Sequence, residues 1–414
     1  MRSIVTAVIS PTKNFEPDQK SRLRKFSTAR FLSELGTKAA FVAIVLRVTE
    51  LTSSATVLSA VLAVTVIADS VATPVAGILG DLVDRRRLMI ASDISAAFLY
   101  AALGFVDNLF LLAVLAMSAT ACEAFYFPAS SASIPNLFDK KNLGVVNSVF
   151  SQARTSGAIA GPLIASLMTT RVGAGPVFWL NAATFMVSAF LISRVDGSFK
   201  SSDGPTRPAA RHVGHVGGFL RVLRENPVVV NFMALWITVQ LGTGALWIAI
   251  PKLADDIGPQ STNYATLLTA STVGSFLGAF LAARLLAFFT SARVLVWAFI
   301  AEAVLLLVTG TASALVPALA ALAGFRAAEI AGGTASYTLF QSSTEDDVRA
   351  RASAWIDGAT VGAFGAGVAL AGPLVDMVGP RYTFATASVS VSMGAVLAWR
   401  MTKQIAHLAP RRPV

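Results

Sequence analysis

Apolar runs of roughly 20 residues, the length a helix needs to cross a bilayer, recur from one end of this 414-residue chain to the other. Their spacing predicts twelve transmembrane helices, over residues 27–49, 54–80, 85–106, 109–132, 143–169, 175–194, 227–250, 262–288, 292–310, 313–338, 350–374 and 381–400. Only 14% of the residues are charged and 55% are hydrophobic, whereas soluble domains average about 25% charged residues. There is too little charge to coat soluble surfaces. The expected class is an all-α membrane protein, and a soluble enzyme is excluded.

The formal net charge is +10, which in a soluble protein would suggest nucleic acid as a partner. Here the bases gather in short segments between apolar runs, the pattern of loops facing cytoplasm and anionic lipid. With the N-terminus inside, 26 Lys and Arg fall on the cytoplasmic side, and only Arg47, Arg171, Lys252 and Arg381 fall outside. Both termini are therefore expected in the cytoplasm of a bacterial cell, under its inner membrane. No basic face interleaved with stacking aromatics is present, so nucleic acid is not expected. Cys122 is the single cysteine, and His212, His215 and His407 lie outside the apolar runs. No metal and no cofactor are expected at membrane depth. Met1 to Lys13 holds only the short apolar run Ile4–Ile9 and reads as a poor signal peptide.

The connections are short except for 195–226, a polar linker ending in a basic amphipathic piece with Arg207, Arg211, Arg221 and Arg224. The expected organisation is a tail (1–26), a six-helix bundle (27–194), the linker, a second six-helix bundle (227–400) and a tail (401–414). The halves look related. Gly161-Pro162-Leu163-Ile164 precedes Val172-Gly173, and Gly372-Pro373-Leu374-Val375 precedes Val378-Gly379. A parallel six-plus-six repeat is a transporter plan, with the substrate site near the bilayer midplane; a monomer is expected.

After the second span comes Gly77-Ile78-Leu79-Gly80-Asp81-Leu82-Val83-Asp84-Arg85-Arg86-Arg87. It resembles the signature between helices two and three of the major facilitator superfamily, with Leu82 in place of a base and Asp84 in place of a glycine. An acid at that second place is similar to the macrolide-efflux and enterobactin-exporter branch. Phe127-Pro128-Ala129, Ala132, Pro135, Leu137, Leu143, Asn147-Ser148 and Gly161-Pro162 resemble the same branch. So do Tyr337-Thr338-Leu339-Phe340-Gln341-Ser342, Arg349 and Arg351. The resemblance implies a cytoplasmic gate built from Gly77, Asp81, Asp84, Arg85, Arg86 and Arg87, with Asp81 reaching the start of helix eleven near Arg351. Gly157-x-x-x-Gly161 puts small residues on one face for close packing, and Pro162 favours a kink. Helix five thus resembles the rocking interface of family antiporters, though Ala165 and Ser166 stand where those usually have glycines. Proton-coupled relatives often carry an arginine midway along helix four. Here that place is Ala119, and the nearby charge is Glu123.

Ionisable residues inside a bilayer are costly and point to function. The spans contain seven acids, Glu34, Asp69, Asp93, Glu123, Glu302, Glu329 and Asp357, against three bases, Lys38, Arg154 and Arg326. Glu34 with Lys38 (i, i+4) and Arg326 with Glu329 (i, i+3) can each form a structural bridge on one helical face. Asp93 and Glu302 are the weaker candidates, because helices three and nine are peripheral in the superfamily. Asp69, Glu123, Arg154 and Asp357 are the sharper ones, with Arg154 expected to pair with Glu123 or Asp69 in one state and release it in another. Phe125, Tyr126, Phe127, Phe232, Trp236 and Trp247 are candidates for an adaptable cavity wall, or equally for helix packing and lipid contact. Trp179, Trp297 and Trp399 read as interface anchors.

The function expected is export of amphipathic small molecules, such as macrolide-like drugs, in exchange for protons. The alternative is export of an endogenous siderophore, natural product or lysophospholipid; a non-transporting receptor is a remote rival. An anionic substrate would prefer Lys38, Arg154 and Arg326 unpaired, and the excess of acids argues mildly against it. No phosphate-binding Gly-x-x-x-x-Gly-Lys-(Ser/Thr) motif is present, and no enzyme activity is expected.

Overall fold

The structure is a computed structural model that describes residues 15–199, 226–343 and 346–408. The side chains at 81, 140, 227, 260–261, 343, 346–355 and 406–408 lie outside the description. The helices are α1 (Pro17–Leu51), α2 (Ala55–Leu82), α3 (Arg85–Leu103), α4a (Leu109–Glu123), α4b (Tyr126–Leu137), α5 (Leu143–Val172) and α6 (Gly175–Ser193). After the linker come α7 (Pro227–Ile257), α8 (Gln260–Phe288), α9 (Ser291–Thr311), α10 (Leu315–Ser343), α11 (Asp346–Val378) and α12 (Pro380–Leu408). By length and composition, nine segments among the described residues can cross a membrane, α4a and α4b counting as one. α1, α3 and α5 fall short on polarity: α1 alone carries ten charged residues, and α3 opens on three arginines. This is a multi-pass helical membrane protein.

The helix ends follow the local chemistry. Asp84 caps α3 by accepting from the amides of Arg86 (2.9 Å) and Arg87 (3.2 Å). Asn108 accepts from Leu111 at the start of α4a (3.0 Å), and Thr290 accepts from Arg293 at the start of α9 (3.4 Å). Each satisfies an amide that the first turn leaves without a helical partner. The fourth span departs from the single helix expected over 109–132. It breaks after Glu123 and resumes at Tyr126, ending at Leu137. Pro128 is the physical reason: it offers no amide to the Ala124 carbonyl, so the turn at Ala124 and Phe125 loses a helical bond.

The chain forms two compact units, Met1–Leu51 with Val64–Pro208, and Thr52–Ala63 with Ala209–Val414. In the first, α1 packs on α5 and α6, and α3 on α4a, α4b and α6. In the second, α7 packs on α11 and α12, α9 on α10 and α12, and α8 on α10. The first turns of α2 belong to this second unit. There Asp376 of α11 accepts from the amides of Ala55 and Thr56 (both 2.8 Å) and from the hydroxyls of Ser54 (2.9 Å) and Thr56 (2.6 Å).

The packing exposes a repeat that runs at a constant offset of 206 residues, the spacing from Gly173 to Gly379, from Arg85 to Ser291 and from Leu109 to Leu315. Gly173 (φ 80°) and Gly379 (φ 85°) end α5 and α11 in the left-handed conformation that glycine adopts without strain. At the same offset Gly161 lies against Leu35 of α1, and Gly367 against Leu241 of α7. The Gly-Pro dipeptides are not the equivalent positions: Gly161 stands 12 residues before its helix-ending glycine, and Gly372 only 7 before its own. The repeat is real, but its register is set by the helix-ending glycines rather than by the prolines.

Candidate functional site

In the first unit the buried charges converge on one carboxylate. Glu34 of α1 accepts from Arg30, one turn earlier, at 2.5 Å, and has Lys38 at 3.7 Å and Arg154 of α5 at 3.8 Å. The Glu34–Lys38 pair expected from the i, i+4 spacing is present. Arg154 is a correction: its carboxylate neighbour is Glu34, not Glu123 or Asp69. Arg30 is a second correction. One of the 26 bases counted on the cytoplasmic side, it is buried instead, with its guanidinium 5.7 Å from the Tyr126 ring centre, 5.2 Å from Phe127 and 5.9 Å from Phe150. Proximity to the end of the apolar run hid it.

Close backbone approach makes this convergence possible. A Cβ on Gly157 would lie 2.6 Å from the Phe31 carbonyl and 3.0 Å from Glu34 Cβ, and one on Gly161 would lie 2.9 Å from Lys38 Cβ. The small face predicted at these two glycines seats α5 directly on α1. Pro162 lies within the continuous helix α5.

The break in the fourth span sits beside this cluster. It leaves Glu123 at the end of α4a, where Thr37 of α1 donates to Oε2 at 3.0 Å and Oε1 is buried without a hydrogen-bond partner. Ser92 of α3 donates to the Cys122 carbonyl at 2.6 Å, the oxygen that the Phe125 amide also reaches at 3.3 Å. Interrupted helices at membrane depth are tolerated where the freed backbone is satisfied by protein or lines a cavity, and they mark transporter binding sites. Of the aromatics at the break, Tyr126 is buried, Phe125 is partly buried and Phe127 is exposed. Asp69, on α2, is exposed and has Thr73 at 3.5 Å.

Asp93, a weaker candidate on a peripheral helix, is 1% exposed, with Oδ2 unpartnered and Ser188 and Tyr126 beside it. Nothing in the local sequence signals this, because the burial comes from α6 covering α3.

The signature between α2 and α3 resolves into ordinary bonds. Arg85 reaches the Gly80 carbonyl (3.1 Å) and the Ala132 carbonyl of α4b (2.8 Å). Arg86 donates to Val195 and to Gly197 (3.2 Å), and its guanidinium lies 4.6 Å from the Phe199 ring centre, which pins the start of the linker. Asp84 is the α3 cap, and Arg87 is exposed. A Cβ on Gly77 would meet nothing within 4 Å, so packing does not require a glycine there. The side chains of Asp81 and Arg351, the expected gate partners, lie outside those described.

The second unit is built differently. Arg326 and Glu329 of α10 form the expected i, i+3 pair. Glu302 of α9, the other weaker candidate, is 0% exposed, with both carboxylate oxygens unpartnered; a Cβ on Gly332 would stand 3.2 Å from one of them. Asp357 is exposed on α11. Phe232 is 1% exposed and stacks on Phe340 at 4.3 Å, so it belongs to the core rather than to a cavity wall. Trp236 is partly buried and donates to Ser336 at 3.2 Å, and Trp247 meets Phe364 edge-on at 4.9 Å.

Two helical units of one repeat, each burying charged groups at membrane depth, define a polytopic transporter rather than an enzyme. Residues 26–242 match the family model of the Major Facilitator Superfamily, and the chain belongs to that superfamily. It is 27% identical over 348 residues to the multidrug efflux pump Tap of Mycolicibacterium fortuitum, covering 79% of this chain and 83% of Tap. It is 26% identical over 215 residues to BacE of Bacillus subtilis, covering 51% of this chain and 53% of BacE. The chain thus spans about half the length of several curated relatives it matches. A bacterial homologue of the human lysosomal transporter Spinster shares the fold, with a TM-score of 0.73, 14% identity, and 96% of this chain and 100% of that one covered.

Proposed function

We propose that this protein is a secondary active transporter that exports amphipathic small molecules, including drugs, by alternating access in exchange for protons. Its twelve transmembrane helices form two six-helix bundles. The protein acts as a monomer in the bacterial inner membrane, with both termini cytoplasmic on the bias of its basic loops. Export of drugs is supported by the relatives named multidrug efflux pump Tap and multidrug resistance protein MdtG. An antibiotic-resistance role follows from the same reading.

The observation that carries proton exchange is Glu123. It is a carboxyl at the break of the fourth span, held by the hydroxyls of Thr37 and Tyr100, with Oε1 buried and without a hydrogen-bond partner. An ionised carboxylate in such a place is expensive unless paired, so taking up a proton and giving way to substrate exchange one stabilising partner for another. Lys38, whose charge reaches Glu123, and Arg154, which shares the Glu34 carboxylate with Lys38, respond to that exchange.

The test is purified protein in proteoliposomes containing a pH-sensitive dye, given macrolides and amphipathic cations under an imposed proton gradient. Substrate-dependent proton flux that Glu123→Gln or Asp69→Asn abolishes is the expected result. Normal transport by both variants across a range of pH would refute the coupling. Drug movement without proton flux would leave an exporter that is not an antiporter.

A further inference from the structure

The charge cluster of the first unit is not needed to pack its helices. At the 206-residue offset, Arg30, Glu34, Lys38 and Arg154 correspond to Trp236, Gln240, Gly244 and Thr360. With those residues α7 still packs on α11, as closely as α1 on α5, Gly367 and Gly161 meeting equivalent leucines. One backbone arrangement is therefore built once with four charges and once with none. Three cations gathered in the membrane-spanning part of a protein carry a large desolvation cost, and the second unit shows that the fold does not demand it.

The sign of the cluster says what it is for. Arg30 and Glu34 neutralise each other at 2.5 Å. At 3.7 and 3.8 Å, neither Lys38 nor Arg154 reaches hydrogen-bonding distance of the same carboxylate. Both are open to a ligand, with side chains 43% and 56% exposed. Asp69 on α2 and Glu123 on α4a also attract Lys38 from a distance. α5, α4b and α6 carry no acid at all, so Arg154 is the less compensated of the two cations. Phe127, itself 45% exposed, lies with its ring centre 5.3 Å from the Arg154 guanidinium and presents an apolar face beside it.

We propose that this cluster recognises an anionic group of the transported molecule, a carboxylate or phosphate, held mainly by Arg154 and secondarily by Lys38, with an aromatic or apolar body lying on Phe127. Arg154 offers a planar fork suited to two parallel bonds with such a group. The Arg30–Glu34 pair holds the site in place and keeps Glu34 from occupying it. This reading rests on the export function proposed above and narrows its substrate class, against the cationic drugs that the excess of acids suggests.

Full-length protein in nanodiscs is titrated calorimetrically with three probes sharing one body: 1-naphthylacetate, 1-naphthylacetamide and 2-(1-naphthyl)ethylammonium. The variants are Arg154→Thr, whose side chain the second unit already accommodates at the equivalent place, Arg154→Lys and Lys38→Gln. Naphthylacetate is expected to bind most tightly. Arg154→Thr is expected to weaken it about tenfold, the usual size of a lost charged hydrogen bond, while the amide probe changes less than about twofold. Arg154→Lys and Lys38→Gln give smaller losses. Tightest binding of the ammonium probe, no loss of naphthylacetate in Arg154→Thr, or no binding of any probe overturns the proposal. In proteoliposomes, transport of the ammonium probe without the carboxylate would overturn it and leave export standing. No transport of any probe or of the drug panel would remove both.

Discussion

Gly157→Ala is the sharpest perturbation the first unit allows. The added Cβ would stand 2.6 Å from the Phe31 carbonyl and 3.0 Å from both Glu34 Cβ and the Leu35 amide, where ordinary contact begins at 3.4 Å. Two of these atoms are backbone, so no side chain can turn aside. The helices must part by about 0.8 Å, since an over-packed interface yields by backbone shifts. Such overpacking costs about 1–3 kcal/mol, while alanine returns up to about 1 kcal/mol of helix propensity over glycine. Gly77→Ala makes the same chemical change where the new Cβ meets nothing within 4 Å, so only the gain of up to about 1 kcal/mol remains. The two variants should differ by roughly 1–3 kcal/mol, with Gly157→Ala the less stable. Intrinsic-fluorescence melting of both proteins in one detergent reads the difference directly. Because Arg154 is already 3.8 Å from Glu34 across this interface, Gly157→Ala should also weaken any ligand that depends on Arg154. Equal melting temperatures for the two variants would refute the close approach of α5 to α1.

Asp376→Ala removes four hydrogen bonds from the start of α2 and should cost about 1–2 kcal/mol locally, seen as roughly tenfold faster hydrogen exchange at Ala55 and Thr56; Asp376→Asn should keep part of the protection, and unchanged exchange in Asp376→Ala would contradict the cap. Asp84→Ala should lower stability by about 1 kcal/mol, but Asp84→Gly by only a few tenths, a contrast measurable by thermal melting; equal losses would argue against capping. Glu302→Leu should raise the melting temperature, because it removes a buried carboxyl whose unmet hydrogen bonds cost about 1–3 kcal/mol, and a fall would mean the carboxyl has partners. Trp236→Phe should cost about 1 kcal/mol by leaving the buried Ser336 hydroxyl without its donor, and full stability would show that bond to be immaterial.

Most of the helices were legible because they are long apolar runs between polar breaks, and such runs have one solution in a bilayer. Most boundaries therefore follow the sequence to within a few residues. The break at Ala124 and Phe125 was not legible. Proline within a membrane helix is common enough that Pro128 alone does not announce an interruption. The Glu34–Lys38 and Arg326–Glu329 pairs could be read because both partners lie on one helix at a fixed spacing. The approach of Arg154 to Glu34 could not, since it depends on which face of α5 meets α1. The glycines supplied that face, but pairing acids with bases by estimated depth pointed to Glu123 and Asp69 instead. Asp93 and Glu302 were discounted because their helices are peripheral in the superfamily, yet peripheral helices are buried on the side that meets their neighbours.

The repeat explains why the two units diverge where they do. Positions that carry backbone contact are held alike: Gly161 and Gly367 on equivalent leucines, Gly173 and Gly379 at positive φ, Asp84 and Thr290 as helix caps. Each is fixed by sterics or by an unsatisfied amide, and a substitution there costs stability in either unit. Other positions on the same helices differ, and there the first unit takes Arg30, Glu34, Lys38 and Arg154 where the second takes Trp236, Gln240, Gly244 and Thr360. Glu123 and Glu329 are equivalent acids treated in opposite ways, one held by the neutral Thr37 and the other bridged by Arg326. On the reading proposed above, proton exchange and recognition of the charged group both fall to the first unit.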